Sequence, residues 1–280
     1  MARSVVRLRV GGKPAALGTV VSRDGLVVSK WSELRGPVTV DAPGGRSVDA
    51  AVVGRSHAHD VVLLRVDPDG LGVEPVAWPS SPAASSNAVA PGAFVAIASP
   101  VGRPPSGVGV ISVGVCPVPD IAMRMGMEFD EVGAGGVRIV RLTPGGVAAQ
   151  SDLRIGDVFT HINDKAIETR DDLFAELSRP GPQKVTIVMQ RDGKRARAAF
   201  PLRGPGRHAT DERVNRRRNG FPACLQHDAD LKPEDCGGPL IDMNGTVIGI
   251  NIARASHSAS LAIPADSVRR LVHELRPDGS

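Results

Sequence analysis

The sequence predicts a mostly β protein, all-β or α+β, and three observations carry that prediction. The 280 residues are 41% hydrophobic but only 3% aromatic, with no Tyr, so the cores must be built from Val, Ile, Leu and Ala. With 32 Gly and 23 Pro, turns are frequent, which suits strands joined by short connections. Short β-branched runs flank the dipeptides Asp24-Gly25, Asp192-Gly193 and Asn244-Gly245, each a strong hairpin signal. The length allows two domains or one large one.

In order, Val6, Leu8 and Val10 alternate with Arg7 and Arg9, the period of a half-buried strand. A hairpin follows around Asp24-Gly25, and another joins Val38–Val40 to Ser47–Val53 through Pro43-Gly44-Gly45. A Val- and Leu-rich strand begins after Asp60. Residues 70–91 are rich in Pro, Ala and Ser and read as a connection. Strands are expected at 93–98 and 107–114. A helix is expected over 170–178, with Thr169 as N-cap, Asp172 completing a capping box, and Pro180-Gly181 as the stop. Leu173, Phe174 and Leu177 share its apolar face. Residues 203–220 are polar, with Arg213, Arg216, Arg217 and Arg218 clustered, and read as an exposed, solvated linker. After a last strand at 260–263, Val268, Leu271, Val272 and Leu275 space as an amphipathic helix.

Composition narrows the function classes. A net charge of +4 does not call for a nucleic-acid partner. The three cysteines, Cys116, Cys224 and Cys236, are too few for a disulfide framework and have no zinc-ligand spacing, so neither metal nor cofactor is expected. Cys116 and Cys224 read as inert. No run of about 18 apolar residues exists to span a membrane. The opening MARSVVRLRVGG has no signal-peptide core, because Arg7 and Arg9 interrupt it.

One stretch organises the rest: Leu225-Gln226-His227-Asp228-Ala229, then Pro233, then Cys236-Gly237-Gly238-Pro239-Leu240, then Val247-Ile248-Gly249-Ile250-Asn251. It resembles the nucleophile region of trypsin-like proteases of the HtrA (Deg) type, with Cys236 where that family has its serine. The hairpin around Asp24-Gly25 resembles the one that ends on the family's catalytic histidine, and that position falls on Ser32. Asp60 matches the third member of the triad. The segment from Arg124-Met125-Gly126-Met127 through PGGVAAQSDLRIGD resembles a PDZ domain, placed before the nucleophile motif rather than after it. The resemblance implies a trypsin-like double β-barrel with an inserted PDZ-like domain. Residues 1–117 would form the first barrel and the start of the second, 118–203 the PDZ-like domain, 204–218 a basic linker, and 219–280 the rest of the second barrel with the C-terminal helix. The N-terminal trimerisation segment usual in the family is short or missing, which leaves the oligomeric state open. An extracytoplasmic location is suggested by the resemblance alone.

Serine-protease chemistry needs a hydroxyl, an imidazole to take its proton and a carboxylate to orient the imidazole. The matching positions hold Cys236, Ser32 and Asp60. The oxyanion-binding turn would comprise Glu234, Asp235 and Cys236, and Glu234 replaces a glycine of the family. The acidic charges of Glu234 and Asp235 are expected to raise the pKa of the Cys236 thiol. Without an imidazole, Asp60 is expected to hydrogen-bond near Ser32. The PDZ-like segment implies a groove for C-terminal or extended peptides, built from Arg124, Met125, Gly126, Met127, Phe129, Leu173 and Leu177. The leading expectation is a degenerate HtrA-like protein that binds peptides, protein C-termini or unfolded proteins, in scaffolding or quality control. The alternatives are an active endopeptidase using Cys236 with His57, His59 or His227 as base, and a redox-sensing thiol at Cys236.

Overall fold

The computed structural model describes residues 4–41, 46–72, 74–79, 90–100, 104–119, 125–132, 135–177, 184–201, 214–215 and 217–276. The chain divides into two compact units, Met1–Val118 with Arg213–Ser280, and Pro119–Glu212. Strands dominate both, and the expectation of a mostly β protein with barrel-like sheets holds.

In the first unit, six strands close a barrel: β1 (Val5–Val10), β2 (Lys13–Val20), β3 (Leu26–Lys30), β4 (Val38–Asp41), β5 (Ser47–Ser56) and β6 (Val61–Val66), in the order β1-β2-β3-β6-β5-β4. Val6, Leu8, Val20, Val27, Val40, Val62 and Leu64 fill it. Branched aliphatics suit a narrow barrel whose strands alternate inward and outward. β7 (Phe94–Ile97) and β8 (Gly107–Val118) begin a second closed barrel. It is completed by β15 (Phe221–His227), β16 (Pro239–Asp242), β17 (Val247–Ser256) and β18 (Ala259–Pro264), in the order β15-β18-β17-β16-β7-β8. The second unit therefore interrupts the chain between β8 and β15, which are hydrogen-bonded neighbours. Helix α2 (Ala265–Leu275) buries Val268 and Leu271 against the barrel cluster, as its spacing predicts.

The second unit is one antiparallel sheet made of β9 (Met127–Glu131), β10 (Val137–Leu142), β11 (Val158–Ile162), β12 (Lys165–Ala166), β13 (Lys184–Arg191) and β14 (Lys194–Pro201). The order is β14-β13-β11-β10-β9, with β12 paired to β11. Helix α1 (Arg170–Leu177) packs Leu173, Phe174 and Leu177 into the same core as Phe129, Ile139 and Phe159. Its start carries the expected capping box: Thr169 Oγ1 accepts from the Asp172 N–H at 3.2 Å, and Asp172 Oδ2 accepts from the Thr169 N–H at 3.1 Å. The turn at Asp192-Gly193 has both residues at positive φ, the geometry of a tight hairpin.

The reading of residues 204–218 as an exposed linker needs correction. Residues 204–213 and 216 lie outside the described residues, but Asn215 is 1% exposed and Arg217 8%. The Arg217 guanidinium donates to the carbonyls of His57, Ala58 and Gly220 and lies 5.2 Å from the Phe221 ring centroid. A planar cation with several donors can be buried when carbonyls and a ring face take the place of water. No helix among the described residues is long and apolar enough to cross a membrane.

Candidate functional site

Ser32 and Asp60 are brought together. β3 ends at Lys30 and β6 begins at Val61, its hydrogen-bonded neighbour, so the residues just beyond each strand meet at one barrel rim. Asp60 has φ +56, a conformation Asp tolerates better than most residues. Its carboxylate is fully used. Oδ1 accepts from the Ser32 N–H at 2.8 Å, and Oδ2 accepts from the Ser32 hydroxyl at 2.8 Å and from the Lys30 ammonium. Lys30 is completely buried and also donates to the Arg217 carbonyl at 3.1 Å. A buried cation is tolerated only when paired, and here it has a carboxylate and a carbonyl.

Cys236 follows a 3-10 turn over Pro233–Asp235. The two glycines after it are required by close approach. A Cβ on Gly237 would sit 2.0 Å from the Leu17 carbonyl oxygen, and one on Gly238 would sit 2.9 Å from Leu17 Cδ1. Gly237 also has φ +90. Leu17 closes the junction by donating its N–H to the Cys236 carbonyl at 2.9 Å. The Cys236 side chain is fully buried among Val95, Ile97, Leu231, Leu240 and Ile248. Its thiol donates to Asn215 Oδ1 at 3.2 Å. Burial pushes this thiol up to about 12, with Glu33 adding to the rise and Lys30 opposing it. The carboxylate acting on the sulfur is thus Glu33, not Glu234 or Asp235, because it comes from the facing barrel rather than from adjacent sequence.

Two of the amides in the turn expected to bind an oxyanion are committed within it, while Glu234 is exposed. Asp235 N–H donates to the Lys232 carbonyl at 2.9 Å and Cys236 N–H to the Pro233 carbonyl at 3.2 Å. An oxyanion site needs such donors aimed outward. The Asp235 carboxylate is 3.7 Å from Arg7, and burial raises its pKa.

None of the three candidate bases hydrogen-bonds the sulfur. His227 is fully buried, its Nε2 3.0 Å from Asn251 Oδ1, and burial lowers its pKa to about 4. Its Nδ1 has no hydrogen-bond partner among the described residues. His59 Nδ1 lies 3.0 Å from Ser56 Oγ, and burial, then the Arg217 charge, lowers its pKa. His57 is exposed, and its carbonyl accepts from the Arg217 guanidinium and from the Asp60 N–H at 3.3 Å.

Asn215 and Lys30 were not singled out from the sequence. Asn215 binds four groups around the sulfur. Its N–H donates to the Arg254 carbonyl at 3.2 Å, its Oδ1 accepts from the Arg254 N–H at 2.7 Å and from Cys236, and its Nδ2 donates to Glu33 Oε1 at 2.9 Å. The signal available for Lys30 was a charged residue at the end of a mostly apolar strand, LVVSK, which needs a partner if it is buried.

In the second unit, β9 is the terminal strand of its sheet, bonded to β10 on one side. Such an edge presents unpaired backbone groups to an incoming strand. Gly126 precedes it at φ +78, and its carbonyl accepts from the Thr143 N–H at 2.8 Å. Met125, Met127, Phe129, Leu173 and Leu177 are all buried in one cluster, the core of the domain. The Phe129 and Phe159 rings meet edge to face at 5.4 Å. Arg124 lies outside the described residues. A cavity of about 420 Å³ opens elsewhere, on β11, β13 and β14, lined by His161, Asp164, Arg195 and Arg197 among others. Among the described residues no group of three or more His, Cys, Asp or Glu converges as metal ligands.

Comparison with known proteins agrees with the second unit. Residues 138–191 match the family model of the PDZ domain. Serine protease HTRA1 of Xenopus tropicalis is 39% identical over 57 residues, covering 20% of this chain and 12% of that protein. A probable periplasmic serine endoprotease, DegP-like, of Chlamydia trachomatis is 39% identical over 64 residues, 21% of this chain and 13% of that protein. Serine protease HTRA2, mitochondrial, of Bos taurus is 39% identical over 49 residues, 18% and 11% respectively. The matches span about an eighth of the length of these relatives. Residues 138–191 therefore form a PDZ domain, and a stretch of 49–64 residues is similar to part of HtrA- and DegP-like serine proteases.

Proposed function

We propose that this protein is a degenerate member of the HtrA type, in which the two-barrel unit has lost proteolysis and the PDZ domain binds C-terminal or extended peptides. The observation that carries the first half is the commitment of the thiol, its own N–H and the Ser32 hydroxyl. The Cys236 thiol is spent on Asn215, its N–H on Pro233, and the Ser32 hydroxyl on Asp60. A thiol held near 12 supplies almost no thiolate at neutral pH. The second half rests on the match at 138–191 and on the terminal position of β9. The buried methionines at the head of β9 would swing aside to admit a terminal side chain, a role Met suits because it is unbranched and adaptable. Unfolded proteins and exposed C-termini are the partner class this reading favours. Scaffolding or quality control outside the cytoplasm is the setting it inherits by analogy.

A second reading is carried by the relatives, which are named as serine proteases: an endopeptidase using Cys236. Two measurements separate them. Purified protein incubated with unfolded casein is expected to leave it intact. Cleavage that disappears in Cys236→Ala would establish the second reading. Fluorescence anisotropy with a labelled peptide ending in an apolar residue is expected to show binding that weakens about tenfold or more when the terminus is amidated, since a terminal carboxylate gains charge-assisted bonds. Equal binding of the two forms would remove the carboxylate from the recognition scheme.

A further inference from the structure

The second barrel carries a pair of thiols that the chemistry above leaves unused. β8 and β15 run antiparallel, and their register sets Cys116 directly opposite Cys224. Paired residues of an antiparallel ladder project from the same face with Cα atoms about 4.5–5.5 Å apart. A disulfide spans Cα separations of about 4.4–6.8 Å. The register shifts on both sides of this pair, so the flanking ladder is irregular and can adjust to bring the sulfurs together. The third thiol, Cys236, is hydrogen-bonded to Asn215 and packs in a different cluster from Cys224.

We propose that Cys116 and Cys224 form a cross-strand disulfide site, oxidised by a small-molecule disulfide such as oxidised glutathione and reopened by thiols. The two cysteines divide the steps by exposure. Cys116 is half-buried and reachable, whereas Cys224 is buried beside Phe221 and the barrel core. The Cys116 thiolate attacks one sulfur of the oxidant, forming a mixed disulfide and releasing one glutathione thiolate. Cys224 then loses its proton and attacks the Cys116 sulfur, expelling the second glutathione. Two thiol hydrogens have moved to glutathione and one S–S bond has replaced another. Burial pushes the Cys224 thiol up to about 12, while Lys30 and Arg217 pull it down, so little Cys224 thiolate is present for the second step. The product has a topological effect. Cys116 lies just before Val118, where the chain leaves the two-barrel unit, and Cys224 lies on the strand after the chain returns. The bond closes residues 117–223, including the whole second unit, into one covalent loop.

The test uses the full chain, reduced, then exposed to oxidised glutathione, denatured and treated with an alkylating maleimide. Before alkylation the intact mass is expected to fall by two hydrogens; after it, the alkylated thiols drop from three to one, and digestion without reductant yields a Cys116–Cys224 linked peptide. A chain clipped between residues 117 and 223 is then held together on a gel until reductant is added. Cys116→Ser, at a half-exposed position that leaves the core intact, loses the mass change, and Cys236→Ala keeps it. The proposal is overturned if folded protein retains three alkylatable thiols, keeps glutathione attached to Cys116, or bridges Cys236 instead.

Discussion

The corner around Cys236 and the sheet edge at β9 both carry sequence signatures of a binding or reacting site, yet they dispose of their polar groups in opposite ways. At Cys236, thiol, amide, neighbouring hydroxyl and carboxylate are all satisfied from within the chain. Among the described residues, the β9 backbone is paired on one side only, with β10. The first arrangement maximises stability, because a buried donor with a partner costs nothing and one without costs about 1–3 kcal/mol. The second leaves an edge that a ligand can complete. What a site can do depends less on which residues it holds than on which of their donors and acceptors remain uncommitted.

The sharpest way to break this contrast is to remove Lys30. Lys30→Met leaves the Asp60 carboxylate buried without its cation, and about 3–5 kcal/mol of stability should be lost in urea unfolding. The double change Lys30→Met, Asp60→Leu should recover part of that loss, since the stranded charge goes with it. A neutral single variant would mean that the cluster is not what holds the barrel rim.

The next effect in size is set by pH. The folded chain holds His227 at about 4, below the ~6.5 of the unfolded chain. Above about pH 6.5 both states are neutral and the contribution is flat. As pH falls toward 4 the unfolded state binds a proton that the folded state refuses, so up to about 3 kcal/mol of stability disappears. Urea midpoints at pH 7 and pH 4.5 measure this, and His227→Gln should flatten the difference between them. An unchanged slope would place the ring in water.

A smaller effect is expected from Asn215→Ala, which strands the Arg254 N–H and the Cys236 thiol and should cost about 1–3 kcal/mol. The same change should speed alkylation of Cys236 by an added reagent, and a thiol that stays inert would show that packing alone shields it. The smallest is Thr169→Ala, which removes one half of the capping box of α1 and should cost about 1 kcal/mol, read from thermal unfolding of the second unit.

Local signals carried the fold well. The dipeptides Asp192-Gly193 and Asn244-Gly245, the alternation at Val6, Leu8 and Val10, and the faces of Leu173–Leu177 and Val268–Leu271 all lie where their periodicities put them. Such patterns are short-range, and burial of one face follows from them directly. The contents of the Cys236 corner were less legible. Lys30 and Asn215 touch partners 187 and 21 positions away, and Arg217 reaches back 160. A run of arginines in a polar stretch reads as solvated by composition, and only long-range packing turns Arg217 inward. Likewise, the acid that raises the Cys236 pKa sits far off in sequence, at Glu33, so inspecting the neighbours of the cysteine could not find it.

The position of the second unit bears on the ancestry of the chain. It enters between β8 and β15, and Val118 is paired with Phe221 on either side of the interruption. In topological terms a whole domain occupies the loop of a hairpin. Acquiring or discarding it at that point breaks no rung of the barrel, so a lineage could exchange this cargo for a short turn, or for another domain, while the twelve-stranded host kept every one of its neighbours.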